Sequence, residues 1–214
     1  MHQNRGINRT FVPIIVRVGL TLPVFPSVYY QHRIIRRTTP GQNRYAMTFQ
    51  ELNLIEPLKR AVAEKGYTTP TPIQQQAIPK ILAGTDILGV APTGTGKTLA
   101  YLLPILMQLD KERREAQAVV LAPTYELAMQ ITAAARDLSQ KADLGIRVQG
   151  LIGGANIARQ IDKLKEKPQL VVGSAGRILE LARKGKLKLT GVRFLVLDEF
   201  DRLLDDQNDM MTAD

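Results

Sequence analysis

The sequence predicts an α/β fold, a parallel sheet with helices on both of its faces, and three observations predict it. Short apolar runs recur from residue 87 onward, at 87–90, 118–121, 148–152, 170–172 and 194–197. Continuous runs of this kind suit strands buried on both faces. Segments with helical spacing separate them, from Lys97 to about Gln108 and over 126–138, 157–164 and 177–183, and strand–helix alternation implies parallel crossovers. The first run also passes into Ala91-Pro92-Thr93-Gly94-Thr95-Gly96-Lys97-Thr98 and then directly into an apolar helix. In such a sheet the functional loops gather at the carboxyl ends of the strands.

Residues 1–46 differ from the rest. They hold seven arginines, no lysine, no acid and four of the twelve prolines. Pro13, Arg17, Pro23 and Pro26 interrupt an otherwise apolar stretch over 11–30, which spoils a helix and a signal-peptide core alike. An irregular, disordered basic leader is therefore expected. It reads as a basic arm for nucleic acid, as a transit-like presequence, or as residues upstream of a start at Met47, the reading favoured by the abrupt change in composition there. Residues 47–214 form the expected domain.

From Met47 the pattern becomes regular. Leu52, Leu54, Ile55, Leu58 and Val62 approach helical spacing over 49–65. Gly66-Tyr67 ends that helix, and Thr68-Thr69-Pro70-Thr71-Pro72 makes a stiff turn in which Thr71 suits an N-cap and Pro72 the first helical position of a helix over 73–82.

Composition narrows the chemistry. The 214 residues carry a formal charge of +9 and are 44% hydrophobic, with no run of eighteen uncharged apolar residues to cross a membrane. Of the 29 basic residues seven lie in the leader, so the remainder is nearly balanced against 20 acids. With no cysteine there is neither disulfide nor thiolate metal site, which fits a reducing, cytoplasmic setting. The two histidines, His2 and His32, both precede Met47. Zinc sites, Ser–His triads and Cys–His dyads are thereby removed from the main body. Its chemistry must run on carboxylates, Lys, Arg, hydroxyls and a bound metal.

The loop at 91–98 supplies much of that. Gly94 and Gly96 let the backbone curl so that its N–H groups face a phosphate chain, Lys97 can reach the β/γ-phosphates, and the Thr98 hydroxyl can sit on Mg²⁺. The helix beginning at Lys97 adds its positive dipole end. Ala91 stands where the strict pattern has glycine. A hundred residues later, Phe194-Leu195-Val196-Leu197-Asp198-Glu199 is an apolar strand ending in two acids. An Asp in this place holds Mg²⁺, and an adjacent Glu orients or deprotonates the attacking water.

Together these pieces resemble the first RecA-like domain of the DEAD-box ATP-dependent RNA helicases, over residues 49 to about 205. Gly66-Tyr67-Thr68-Thr69-Pro70-Thr71-Pro72-Ile73-Gln74 looks like the family's Q motif, with Phe49 as its isolated upstream aromatic. The resemblance implies that Gln74 reads the adenine edge while Phe49 and Tyr67 help enclose the ring. It makes Thr93, Gly94, Thr95, Gly96, Lys97 and Thr98 the ATP loop, with Thr98 and Asp198 on the metal. Lys97, Asp198 and Glu199 become the catalytic set. Asp198-Glu199-Phe200-Asp201 matches the eponymous motif with Phe200 in place of alanine, and Asp201 would couple to a second domain.

Three further stretches resemble the family's RNA-backbone contacts. Pro123-Thr124-Tyr125-Glu126-Leu127-Ala128 is similar to PTRELA with Tyr125 in place of arginine. Gly153-Gly154 resembles its glycine pair, and Ser174-Ala175-Gly176-Arg177 resembles TPGR. On this reading Pro123, Thr124, Gly153, Gly154, Ser174, Gly176 and Arg177 bind RNA. Loss of the arginine at 125 removes a charge-assisted phosphate contact, often worth about 1–3 kcal/mol, so weaker or more salt-sensitive RNA binding is expected. Residues 159–193 hold ten basic residues against Asp162, Glu166 and Glu180, and no aromatic lies between Tyr125 and Phe194. A grip without stacking rings is through the backbone and indifferent to sequence. Lys184–Lys188 reads more simply as a solvated face.

The resemblance implies an ATP- and Mg²⁺-using RNA helicase whose second RecA-like domain is absent from this chain, with ATP and the RNA backbone as partners and no membrane. The alternative is an ATP- and nucleic-acid-binding module with negligible turnover. A DNA helicase of related architecture is a third reading, disfavoured by the Q motif and PTYELA.

Overall fold

Successive side chains of a strand point to opposite faces of its sheet, and here both faces are apolar. The computed structural model describes residues 11–18, 33–35, 47–153 and 156–203. Its strands are β1 (Phe11–Val18), β2 (Arg33–Ile35), β3 (Ile87–Pro92), β4 (Ala118–Leu121), β5 (Val148–Leu151), β6 (Leu170–Gly173) and β7 (Phe194–Asp198). They form one sheet in the order β2-β3-β1-β7-β4-β6-β5. The helices are α1 (Glu56–Glu64), α2 (Pro72–Leu82), α3 (Lys97–Leu106), α4 (Tyr125–Lys141), α5 (Ile157–Leu164), α6 (Ala175–Arg183) and α7 (Phe200–Leu203).

One face of the sheet presents Ala118, Val120, Leu170, Val172, Phe194 and Val196 to a large core shared with α1, α2, α3 and α4. The intervening residues Val119, Leu121, Val171, Leu195 and Leu197 pack on the other face with Leu164, Ile178, Leu181 and Leu203 of α5, α6 and α7. This is the two-sided cover expected of the α/β class. Pairing of β4 with β6 and β7, and of β5 with β6, is parallel and in a common register: Leu121 lies opposite both Gly173 and Leu197, and Leu151 opposite Gly173. The carboxyl ends of these strands therefore form one rim.

Two expectations are corrected. The leader is not wholly irregular. β1 lies inside the sheet, antiparallel to both β3 and β7, and β2 pairs with β3 in parallel. The β-branched run around Ile14 and Val16 explains this, because both side chains are fully buried in the main core. Pro13 pairs with Val90 of β3 but lies beyond the register shared with β7, so its missing N–H is not asked for along that ladder. The rest of the leader, 1–10, 19–32 and 36–46, lies outside the described residues.

The helix expected over 49–65 is shorter, beginning at Glu56 after Ile55 in extended conformation. Pro57 occupies its first turn, where the missing N–H would have no partner within the helix in any case. Phe49, Leu52 and Leu54 are nonetheless buried, as loop residues anchored in the core.

Candidate functional site

β3 delivers the chain to the loop at its carboxyl end, where Gly94 and Gly96 take left-handed backbone conformations with φ of 80° and 82°. At Gly96 a side chain would also collide with its neighbour, since a Cβ would lie 2.4 Å from Gln74 Nε2. Thr95 Oγ1 donates to the Pro92 carbonyl at 2.7 Å and fixes the turn from inside. Lys97 opens α3, and its ammonium folds back to donate to the carbonyls of Ala91 and Pro92, each at 2.9 Å. Burial holds its pKa below the ordinary lysine value, against the opposing pull of Asp198, Glu199 and Asp201.

β7 carries the matching acids. Through β1 the two strands are in step, Ile14 lying opposite Gly89 of β3 on one side and Asp198 on the other. Asp198 is 3% exposed. One carboxylate oxygen accepts from the Glu199 N–H at 3.0 Å and the other from the Tyr101 hydroxyl at 2.9 Å. Burial pushes the Asp198 pKa up, and the Tyr101 hydrogen bond works in the other direction. Glu199 has φ of 51°, a left-handed conformation costly for a residue with a side chain, and accepts from Arg202 Nη1 at 3.0 Å.

Lys97, Thr98, Asp198 and Glu199 converge on a single cleft of about 540 Å³, also lined by Tyr67, Gln74, Thr93, Gly94 and Gly96. Among the described residues no group of three or more His, Cys, Asp and Glu side chains is placed to hold a metal. The carboxylate of Asp198 and the hydroxyl of Thr98 nonetheless fit Mg²⁺, which binds through one or two carboxylates together with substrate phosphates rather than in a protein cage. The metal suited to this cleft is one that comes with a phosphate ligand.

Placement distinguishes the members of the expected set. Gln74 is 3% exposed and already spans two elements. Its Oε1 accepts from the Thr71 N–H at 2.9 Å, as part of the capping box of α2, and its Nε2 donates to the Gly96 carbonyl at 3.1 Å. Tyr67 is 47% exposed at the cleft mouth. Phe49 is 5% exposed in the main core and is not among the residues lining the cleft. Thr95 and Asp201 are likewise outside the lining, Thr95 because its hydroxyl is turned into the loop. Sequence reading missed the apolar wall that α4 gives the cleft through Leu127, Ile131 and Ala134, although their helical spacing on one face is visible in the sequence. It also missed Tyr101, which looks like one more apolar position of α3.

The candidate RNA-contact residues follow the aligned ends of β4, β5 and β6. Thr124 caps α4, its hydroxyl oxygen accepting from the Leu127 N–H at 3.2 Å. Ser174 is the N-cap residue of α6 without a side-chain cap bond. Pro123, Ser174 and Gly176 are partly exposed, and Gly153 is exposed while Gly154 lies outside the described residues. Arg177 is held by Glu180 at 3.2 Å, with one buried guanidinium nitrogen that has no hydrogen-bond partner among the described residues. Gln160, not anticipated, clamps the backbone just before Gly153: it accepts from the Ile152 N–H at 3.1 Å and donates to the Ile152 carbonyl at 2.9 Å.

The profile of the DEAD/DEAH box helicase family matches residues 71–213. The chain is 51% identical over 149 residues to the DEAD-box ATP-dependent RNA helicase CshC of Bacillus cereus, an alignment covering 69% of this chain and 37% of that protein. It is 47% identical over 158 residues to the ATP-dependent RNA helicase DeaD of Haemophilus influenzae, covering 74% of this chain and 26% of the relative. Among solved structures, a DEAD box protein from the hyperthermophile Methanococcus jannaschii superposes with a TM-score of 0.62 at 33% identity, over 68% of this chain and 39% of that one. The chain thus spans well under half the length of these relatives. No helix among the described residues is long and apolar enough to cross a membrane.

Proposed function

The chain belongs to the DEAD/DEAH box helicase family, and from that premise we propose that it is the ATP-binding half of an RNA helicase, using ATP and Mg²⁺ to drive local separation of RNA strands. The observation that carries the proposal is the convergence of the Lys97 ammonium, the Thr98 hydroxyl and the Asp198 and Glu199 carboxylates on one cleft at the carboxyl ends of β3 and β7. Transfer of a terminal phosphoryl group to water asks a protein mainly for positioning, charge neutralisation and an oriented water.

In this reading the curled backbone at 93–96 and the amino end of α3 receive the phosphates. Lys97 exchanges its two carbonyl acceptors for phosphate oxygens. Thr98 and Asp198 would hold Mg²⁺, which would offset phosphate charge during transfer. Glu199 orients the attacking water and takes its proton. Gln74 keeps one amide hydrogen and one carbonyl lone pair for the adenine edge, beside the exposed ring of Tyr67. Phe49 is assigned to the core instead of the ring pocket, since its burial leaves it no face toward the cleft. Asp201 is assigned to coupling with a second RecA-like domain outside these 214 residues.

RNA is assigned to the rim formed by Pro123, Thr124, Gly153, Gly154, Ser174, Gly176 and Arg177, gripped by its backbone without sequence preference. The absence of cysteine from the sequence supports a cytoplasmic setting. Closure against the second domain, with its arginine fingers, would add ~10³–10⁵ in rate, so the chain alone is expected to bind ATP while turning it over slowly. Binding of fluorescent ATP and hydrolysis with RNA, DNA or neither test the proposal, on this chain and on a longer protein containing it. ATP binding with RNA-stimulated hydrolysis by the longer protein is expected. Stimulation by DNA alone, or no ATP binding at all, overturns it; binding without turnover in either protein establishes the non-catalytic alternative.

A further inference from the structure

Resting on the reading of the cleft as a nucleotide–magnesium site, we infer that Tyr101 is the positioning residue of its metal ligand Asp198, a phenol that locks the carboxylate and ties it to the helix that bears Thr98. Tyr101 lies one turn beyond Thr98 on α3 and is fully buried. Its hydroxyl donates to Asp198 Oδ2 at 2.9 Å across 97 residues of sequence. Asp198, on β7, is thereby tied to α3, the helix that carries Thr98.

Asp198 has few other means of orientation. Its second oxygen accepts from the N–H of the adjacent Glu199, a bond within the same turn that cannot relate the carboxylate to α3. Lys97 approaches only as a charge, its ammonium being donated to Ala91 and Pro92. Among the described residues, the Tyr101 bond is the hydrogen bond that fixes the carboxylate relative to the helix bearing Thr98. A tyrosine suits the task because its ring belongs to the core beside Leu102 and Leu103 and cannot swing, while its single O–H is the polar tip that reaches the site. Partners of this kind, behind a metal ligand, typically govern 10–100-fold in metal affinity. Phenylalanine at 101 would keep the packing and remove only the link.

The test compares the full chain with its Tyr101→Phe variant in titrations of fluorescent ATP with Mg²⁺, with EDTA present as the metal-free arm, and of Mn²⁺ followed by electron paramagnetic resonance. Circular dichroism verifies that both proteins are folded at the assay temperature. The expected result is a rise of about 10-fold or more in the Mg²⁺ and Mn²⁺ needed for half-saturation, with metal-free nucleotide affinity within about twofold of the parent. Tyr101→Leu, which loses ring and hydroxyl together, should show the metal shift plus a lower melting temperature. An unchanged metal requirement in Tyr101→Phe overturns the inference, as does an equal loss of nucleotide affinity with and without metal, which marks a merely structural role. Failure of the parent chain to bind nucleotide at all is a different outcome and refutes the nucleotide reading itself.

Discussion

At the scale of single residues, the cleft holds charge where burial opposes it. Lys97 and Asp198 are both nearly inaccessible, and burial shifts each toward its neutral form. Their cost to the fold is the counterpart of their readiness for a charged ligand. Replacing Lys97 with alanine removes a charge-assisted contact of about 1.5–3 kcal/mol, so ATP affinity should fall roughly 10–100-fold, measurable by filter binding or fluorescent ATP; an unchanged affinity would contradict the assigned role. Glu199→Gln keeps the size and polarity of the side chain but cannot accept a proton. It should leave ATP affinity within about twofold and slow hydrolysis by the longer, RNA-stimulated protein by ~10²-fold or more. A mutant that hydrolyses at the parent rate would remove Glu199 from the chemistry.

At the scale of elements, side-chain clamps join segments that the backbone ladder leaves apart. Gln160 of α5 satisfies both the N–H and the carbonyl of Ile152 while itself buried. Gln160→Ala orphans both groups, and at about 1–3 kcal/mol for each unsatisfied buried group it should destabilise the protein by roughly 2 kcal/mol or more in urea unfolding. It should also weaken RNA binding by loosening the turn at Gly153. A second clamp is ionic: Lys65, at the end of α1, hydrogen-bonds to Asp137 of α4. That bond, first among its causes, holds the Asp137 pKa below the ordinary carboxylate range. The native state therefore binds this proton less readily than the unfolded state. The stabilisation is fully present above the unfolded value of about 3.9 and is lost as pH falls through the lower folded value. Half-exposed pairs of this kind contribute at most about 1 kcal/mol. Melting curves of the parent and Asp137→Asn should differ slightly at pH 7 and coincide near pH 2, and a gap that widens in acid would contradict the assignment.

At the scale of the whole molecule, the two halves of the cleft are joined through β1. β3, which leads into the glycine-rich loop at 93–96, does not pair with β7, which carries the acids; β1 stands between them with Ile14 level with both Gly89 and Asp198. A charge at Ile14 would be buried beside Asp198. Ile14→Asp should thus cost several kcal/mol and abolish ATP binding, whereas Ile14→Val should cost about 0.5–1.5 kcal/mol and leave binding intact. Calorimetry and fluorescent-ATP titration read both, and indifference of either measurement to Ile14→Asp would show that the leader does not bridge the site.

Most of the sheet's main body was legible in advance because its signals are local. The apolar runs at 118–121 and 170–172 fall within β4 and β6 almost residue for residue, since a strand buried on both faces has no polar positions to blur its ends. The loop at 91–98 and the acids at 198–199 could likewise be read as parts of one site, because glycine, lysine, hydroxyl and carboxylate at fixed offsets are what phosphate and metal chemistry require. Less was legible where a residue's role depends on what lies across the fold. Phe49, by resemblance a cleft aromatic, is a core residue; Tyr101, within the apolar helix from Lys97, reaches the acid; Gln74, by resemblance an adenine reader, is also bonded to Gly96.

The sequence by itself determined the strand–helix alternation, the glycine-rich loop before Lys97, the order of the family's motifs and the absence of thiol and imidazole chemistry from the main body. Only the tertiary structure decided that an arginine-rich leader contributes an antiparallel strand between β3 and β7, and that a phenol 97 residues away holds Asp198. The physical reason is the range of the interactions: backbone conformation and loop chemistry are set by residues a few positions apart, whereas strand neighbours and buried hydrogen-bond partners are selected by closing long stretches of chain around a shared core.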